Sequence, residues 1–161
     1  MALGNLDGLR VLDLYAGSGA LAIEALSRGA VWADVVERDA RAREAIARNV
    51  EELGLGARIK VWPLRLPGGL ARLAPVLARA ELVFADPPYG GNDARAVLAG
   101  LAEAGVLRPG TRLVLESHAK DPIPDRQGTL VRERERRYGE TAVHLYRVSG
   151  DTPAPNEGEG S

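Results

Sequence analysis

A β-rich run, residues 10–15, is followed at once by Ala-Gly-Ser-Gly and then by a helical pattern with Leu21, Ile23, Ala25 and Leu26 on its apolar side. A strand that turns through glycines directly into a helix is typical of the first unit of a parallel α/β sheet. Glycines at such a turn let a ligand approach bare backbone amides, because no Cβ is in the way. The chain therefore begins with the strand, turn and helix of an α/β fold, and we expect its binding crevice at the end of this strand.

The rest of the chain repeats the alternation of strand and helix. Its two final strands are joined by three residues, which is too short for a crossover, so they should form an antiparallel hairpin. We predict an α/β fold with a seven-stranded, mostly parallel sheet, a C-terminal antiparallel hairpin and helices on both faces. The later predicted strands cover residues 33–37, 58–62, 81–85, 112–116, 130–137 and 141–148, and the later helices cover residues 40–53, 69–80 and 93–104.

Length and composition limit the class of protein. A chain of 161 residues is long enough for one domain, which we assign to residues 1–148, and the Gly-, Pro- and Glu-rich residues 149–161 are predicted to be disordered. The absence of cysteine excludes disulfides and thiolate metal sites. No secretion signal or membrane-spanning run is present, so we expect a cytoplasmic protein. A net charge of −1 means that a nucleic-acid partner must be met by a local basic patch.

Gly17-Ser18-Gly19 and Glu37 together indicate a nucleoside site. Glu37 closes the second predicted strand 18 residues after Gly19, a position from which a carboxylate accepts hydrogen bonds from ribose hydroxyls. The same loop also fits a dinucleotide fingerprint, so an NAD-dependent oxidoreductase is an alternative at this point. Asp13 lies in an otherwise apolar strand, and we expect it to brace the loop or to meet the ammonium group of a cofactor.

Asp86-Pro87-Pro88-Tyr89 ends the fourth predicted strand with a chemically distinctive turn. An amino group on a base ring is a poor nucleophile, and acceptors that hold both of its hydrogens turn its lone pair toward an incoming methyl group. Asp86 supplies a carboxylate oxygen, Pro87 supplies a carbonyl without a competing N–H, and the rings restrict φ. Tyr89 offers a flat face for a flipped base.

Hydride transfer has no comparable need for two prolines between an acid and an aromatic residue. The turn therefore favours methyl transfer to an exocyclic amino nitrogen, with S-adenosylmethionine as the donor. A sulfonium loses its charge as the methyl group leaves, so no metal is expected to take part.

Five segments carry a resemblance to the bacterial 16S rRNA guanine-N2 methyltransferase family. They are VLDLYAGSGALAIEALSRGA (residues 11–30), VVERD (35–39), FADPPY (84–89), LVLESH (113–118) and RRYGETAVHLYRV (136–148). The resemblance implies a Rossmann-like class I methyltransferase fold. The Asp-Pro-Pro-aromatic turn is shared with DNA adenine-N6 and cytosine-N4 methyltransferases, which are therefore an alternative. Members of the family usually have an N-terminal arm before the first strand, and residues 1–9 offer no counterpart, so a chain that only binds the cofactor is a further alternative.

The resemblance, together with the motifs, implies the following site. The predicted catalytic residues are Asp86, Pro87, Pro88 and Tyr89. The predicted cofactor-binding residues are Asp13, Tyr15, Ala16, Gly17, Ser18, Gly19, Glu37 and Arg38. The predicted partner is 16S rRNA in the small ribosomal subunit or its precursor, with DNA as the alternative, no membrane partner, and a monomeric enzyme.

Arg132, Arg134 and Arg136 alternate with Glu133 and Glu135. A regular strand would place the three guanidinium groups on one face and the two acids on the other. This pattern predicts a phosphate-facing stripe that binds substrate. The alternative is a solvated edge strand whose charges prevent pairing with other chains.

Overall fold

The computed structural model describes residues 4–88 and 93–150, which form a mixed sheet of eight strands flanked by helices. The strands are β1 (Arg10–Asp13), β2 (Trp32–Val36), β3 (Ile59–Trp62), β4 (Leu82–Ala85), β5 (Arg112–His118), β6 (Arg126–Gln127), β7 (Leu130–Tyr138) and β8 (Thr141–Val148). The α-helices are α1 (Ala20–Ser27), α2 (Ala40–Glu52), α3 (Ala74–Arg79) and α4 (Asp93–Ala104).

The strand order is β3-β2-β1-β4-β5-β8-β7-β6. The first five strands of this order are parallel, and β8 runs antiparallel to both β5 and β7. The chain moves outward from β1 to β2 and β3 and then returns to the other side of β1 with β4. A crevice forms at such a reversal, at the carboxyl ends of the strands. The fold therefore places the ends of β1 and β4 side by side at the position where ligands bind.

Helices pack on both faces of the sheet. Helices α1 and α2 bury Leu26 and Ile46 in one apolar cluster with Val35 and Phe84, and we call this side the α1–α2 face. Helices α3 and α4 bury their apolar residues on the opposite side, which we call the α3–α4 face. Strands buried on both faces lack an alternating pattern, and β4 is accordingly buried along its whole length.

The predicted fold is confirmed, with two local differences. The predicted helix over residues 69–80 is a 3₁₀ helix, Gly68–Leu73, followed by α3. Pro75 explains the break, because proline is tolerated only in the first turn of an α-helix. The sequence predicts seven strands, and the additional one is β6. It has only two residues and forms by pairing with β7, so no periodic sequence pattern predicts it. No helix within the described ranges is long and apolar enough to cross a membrane.

Candidate active site

The glycine turn after β1 has the backbone that its sequence predicts. Gly17 and Gly19 have φ angles of +56° and +81°, in the left-handed region that side chains disfavour. A Cβ at Gly19 would lie 3.2 Å from Cγ1 of Ile46, which is fully buried. Ser18 is exposed between the two glycines, and Ala16 is buried beneath them. The turn therefore brings α1 close to α2 while Gly17 and Ser18 stay exposed.

Glu37 follows β2 and reaches back to the glycine turn. Its Oε2 atom accepts a hydrogen bond from the Gly17 N–H at 3.1 Å, and Oε1 accepts one from the Asp39 N–H at 3.3 Å. Arg43 of α2 donates to the carbonyl oxygens of Glu37 and Arg38 at 3.1 and 2.7 Å. A carboxylate has about four lone-pair sites, so Glu37 retains acceptor capacity beyond these two bonds.

Asp13 and Tyr15 contain the unsatisfied polar atoms of this region. Within the described ranges, two buried side-chain oxygens have no hydrogen-bond partner, namely Oδ2 of Asp13 and the hydroxyl of Tyr15. Oδ1 of Asp13 accepts the N–H of Tyr15 at 3.2 Å. Buried polar groups are normally paired, because an unpaired one costs about 1–3 kcal/mol. Both atoms belong to residues predicted to bind the cofactor, and they fit a ligand that brings a cation and an acceptor.

The pKa values around Asp13 also favour a cationic ligand. Burial raises the pKa of Asp13 to about 7, the Tyr15 N–H lowers it, and the nearby carboxylates of Asp86 and Glu37 raise it further. Burial also raises the pKa of Tyr15 to about 12, with Asp93 adding to the shift and Arg38 opposing it. A cation beside Asp13 would relieve the repulsion among the three carboxylates. The site is therefore complementary to a positively charged ligand.

Asp86 and Pro87 form the corner after β4, beside Asp13. Asp86 and Pro88 are exposed, whereas Pro87 is buried. The structure thus brings together the end of β1, the end of β2 and the start of the proline corner, as the motifs predict. Tyr89 lies outside the described residues, so its stacking role stays a prediction.

Glu116 also belongs to this site, although it is not among the site residues predicted from the sequence. Ala85 is paired with Leu115, so the chain positions that follow them, Asp86 and Glu116, are neighbours across the two strands. Burial raises the pKa of Glu116 to about 7, and a hydrogen bond to Asp86 together with the charge of that residue raises it as well. A hydrogen bond between two carboxyl groups needs one proton. The raised pKa lets Glu116 supply this proton to the hydrogen bond with Asp86 in part of the molecules near neutral pH.

The prediction that Arg132, Arg134 and Arg136 lie on one face is wrong for Arg132. Arg132 is paired with Tyr146 but Arg134 is paired with Leu145, so β7 contains a bulge between them. One extra residue in a strand reverses the alternation of faces. Arg132 therefore lies on the α3–α4 face, where it contacts four groups: the carboxylates of Asp125 and Glu135, Nδ1 of His144 and the carbonyl of Ile123. Its side chain is 17% exposed, and it holds the segment before β6 against β7.

The fold and these residues define a class of protein. Oδ2 of Asp13 is unpaired and suits a cationic ligand, and Glu37 keeps acceptor capacity beside the glycine turn. Together with the doubly wound sheet, these features suit a class I methyltransferase that uses S-adenosylmethionine. Asp13, Tyr15, Gly17 and Glu37 are the residues that would hold the cofactor.

Comparisons with known proteins agree with this class. The model of the family described as conserved hypothetical protein 95 matches residues 1–147, and the chain belongs to that family. The candidate rRNA methyltransferase YlbH of Bacillus subtilis (strain 168) is 35% identical over 144 residues, which are 89% of this chain and 78% of YlbH. Ribosomal RNA small subunit methyltransferase D of Escherichia coli (strain K12) is 30% identical over 136 residues, which are 84% of this chain and 66% of that protein.

A solved structure shows the same fold. The RNA methyltransferase of Salinibacter ruber, in complex with S-adenosyl-L-homocysteine, superposes with a TM-score of 0.68 at 19% identity, over 95% of this chain and 90% of that one. The family and the relatives named as methyltransferases identify the chain as a methyltransferase, and the NAD-dependent alternative is set aside.

Proposed function

We propose that this methyltransferase acts on an exocyclic amino group of a nucleic-acid base, and specifically on guanine N2 of 16S rRNA in the small ribosomal subunit or its precursor. One observation carries the proposal: the unpaired Oδ2 of buried Asp13 lies beside the Asp86 corner. Oδ2 of Asp13 suits the cationic group of the methyl donor. The Asp86 corner suits the N–H groups of the base that accepts the methyl group. The names of the relatives from B. subtilis and E. coli support rRNA as the polymer.

The residues of the corner hold and orient the amino group. Asp86 accepts one N–H and the carbonyl of Pro87 accepts the other, so the nitrogen lone pair points at the methyl group. S-adenosylmethionine supplies that methyl group as a sulfonium. The new N–C bond forms as the C–S bond breaks, with the bonding pair passing to sulfur. The nitrogen then releases a proton to Asp86, which is exposed and can pass it to water.

The polymer and the base can be separated by one assay. Purified protein is incubated with tritiated S-adenosylmethionine and, in parallel, with undermodified small subunits, naked 16S rRNA or deproteinised DNA. Mass spectrometry then identifies the methylated nucleoside. We expect N2-methylguanosine from rRNA. Label found only in DNA, as N6-methyladenine or N4-methylcytosine, would reject the proposal in favour of the DNA alternative, and cofactor binding without any label would favour a binding-only chain.

The proposal also covers assembly and location. Because rRNA is made and modified in the bacterial cytoplasm, we place the reaction there, and we expect the protein to act as a monomer. Light scattering during size-exclusion chromatography, with and without S-adenosylhomocysteine, tests the second point.

Cofactor affinity should depend on pH through Asp13. The pKa of Asp13 is about 7 in the free protein, and its ionised form binds the ammonium group, so affinity should fall as pH falls below about 7, by up to about tenfold per pH unit. Calorimetry with S-adenosylhomocysteine between about pH 5 and pH 8 measures this slope. Asp13→Asn should bind more weakly and without the slope. A variant that keeps the slope would show that the titrating group lies elsewhere.

Glu116 should act by positioning Asp86. Glu116→Gln keeps a neutral hydrogen-bond donor, so its kcat should stay within a few-fold of the wild type. Glu116→Leu removes the donor and should lower kcat by roughly 10- to 150-fold, the equivalent of one charged hydrogen bond. The Kd for S-adenosylhomocysteine should not change in either variant. Equal losses of kcat in both variants would contradict a role as a neutral donor.

A further inference from the structure

The α1–α2 face of the sheet continues past the active site onto β5, β8 and β7. Residues that are directly paired on adjacent strands lie on the same face. Glu116 is paired with Val143, and Val143 is paired with Arg136. Arg136 therefore lies in the same cross-strand row as Glu116, two strand spacings away, or about 10 Å.

Two neighbouring rows have the same arrangement. Val114 leads through Leu145 to Arg134, and His118 leads through Thr141 to Tyr138. The three rows thus end on β7 in Arg134, Arg136 and Tyr138, which we call the β7 row ends. All three are exposed, and the side chain of Tyr138 is 54% exposed. The bulge at residue 133 separates Arg132 from this set, whereas Tyr138 shares the face of Arg134 and Arg136 by regular alternation along β7.

The charges on this face are available for a partner. Across the described ranges, neither Arg134 nor Arg136 has a carboxylate within 4.0 Å, whereas Glu133 is already paired with Arg147 at 2.9 Å. Arg137, the next residue of the strand, is paired with Glu135. Free arginines recognise phosphate bidentately, and an exposed tyrosine stacks on an unpaired base. The net charge of the protein is −1, so attraction for RNA must come from a local basic patch such as this one and not from the whole molecule.

We propose that single-stranded RNA next to the target nucleotide crosses the β7 row ends, with Arg134 and Arg136 on its phosphates and Tyr138 under one of its bases. The proposal rests on the function proposed above and specifies its substrate path. The path leads along the cross-strand rows to Glu116 and Asp86, so the same strand that is held at β7 delivers its target base to the proline corner. Continuity with the active site and the unpaired positive charge both favour RNA over an apolar partner.

The strand itself offers a matched control. Arg137→Gln removes the same charge from the same strand, but on the opposite face. Binding of a short fluorescein-labelled single-stranded RNA is measured by anisotropy over a range of salt concentrations. For the double variant Arg134→Gln/Arg136→Gln, we expect the slope of log K against log salt to become shallower by about 1.4, because each phosphate contact contributes about 0.7 on a single strand. Arg137→Gln should leave the slope unchanged.

Tyr138 is tested separately. Tyr138→Ala should weaken RNA binding roughly 5- to 150-fold, as expected for loss of one stacked base, with the salt slope preserved. Tyr138→Phe keeps the ring and should bind as the wild type does. A change of slope in Arg137→Gln of about half that in the double variant, which is the same change per charge removed, would overturn the proposal in favour of bulk charge. Unchanged slopes in both would overturn it outright.

The outcomes also separate this proposal from the proposed function. Methylation of rRNA by a double variant whose RNA affinity and salt slope are unchanged would refute the path and keep the function. If the double variant lost RNA affinity but the wild-type protein methylated only DNA, the proposed path would stand and the proposed rRNA methylation would be refuted.

Discussion

Asp86→Ala is expected to lower turnover by about 10²–10³-fold or more while the Kd for S-adenosylhomocysteine stays within about twofold. The carboxylate of Asp86 holds the amino group in the proposed mechanism and has no proposed contact with the donor. The backbone of the corner should survive, because Pro87 and Pro88 continue to restrict φ. Single-turnover methylation and calorimetry measure the two quantities on the same preparation.

Two controls make this result specific. Asp86→Asn keeps the shape of the side chain and one acceptor oxygen, so it should retain more activity than the alanine variant. Glu103→Gln removes a carboxylate from an exposed position on α4 and should change neither quantity. If Asp86→Ala weakened cofactor binding as much as it slowed turnover, the assignment of Asp86 to the acceptor side would be wrong.

Glu37→Ala is expected to produce the opposite pattern. Its carboxylate accepts two backbone N–H groups, one of them from Gly17, and is proposed to accept the ribose hydroxyls. Loss of a hydrogen bond to a charged group costs about 1.5–3 kcal/mol, so cofactor affinity should fall roughly 13- to 150-fold. The kcat at saturating cofactor should change little, because Glu37 has no proposed contact with the acceptor.

Glu44→Ala on the exposed side of α2 is the matched control. It removes the same charge from a nearby position and should bind the cofactor normally. Glu37→Gln adds a second comparison, since an amide can accept from Gly17 but lacks the full negative charge. Normal affinity in Glu37→Ala would show that the ribose is held by other groups and that Glu37 serves only the turn.

The motifs predicted those parts of the site that depend on residues close together in the chain. Gly17 and Gly19 require a left-handed turn, Glu37 closes a strand, and Asp86 precedes two prolines, so each feature could be recognised from its neighbours alone. Pro75 was equally readable in principle, since it forbids a continuous helix over residues 69–80. The helix predicted over that segment is accordingly divided into a 3₁₀ helix and α3.

The arginines of β7 show where local patterns fail. Perfect alternation over residues 132–136 predicts one basic face, and a regular strand would have produced it. The bulge depends on how β7 is paired with β8 and not on the β7 sequence alone. Arg132 therefore forms a largely buried link to Asp125, on the face opposite to Arg134 and Arg136.

By itself, the sequence determined the order of strands and helices, the glycine turn and the acid-and-proline corner, because these follow from backbone preferences and spacing along the chain. Only the tertiary structure decided that Asp13 is buried with one oxygen unpaired, that Glu116 lies beside Asp86, and that Arg132 and Arg136 lie on opposite faces. Each of these depends on strand order and register, which join residues that are distant along the chain, and on the loss of water around a charge once the sheet is assembled.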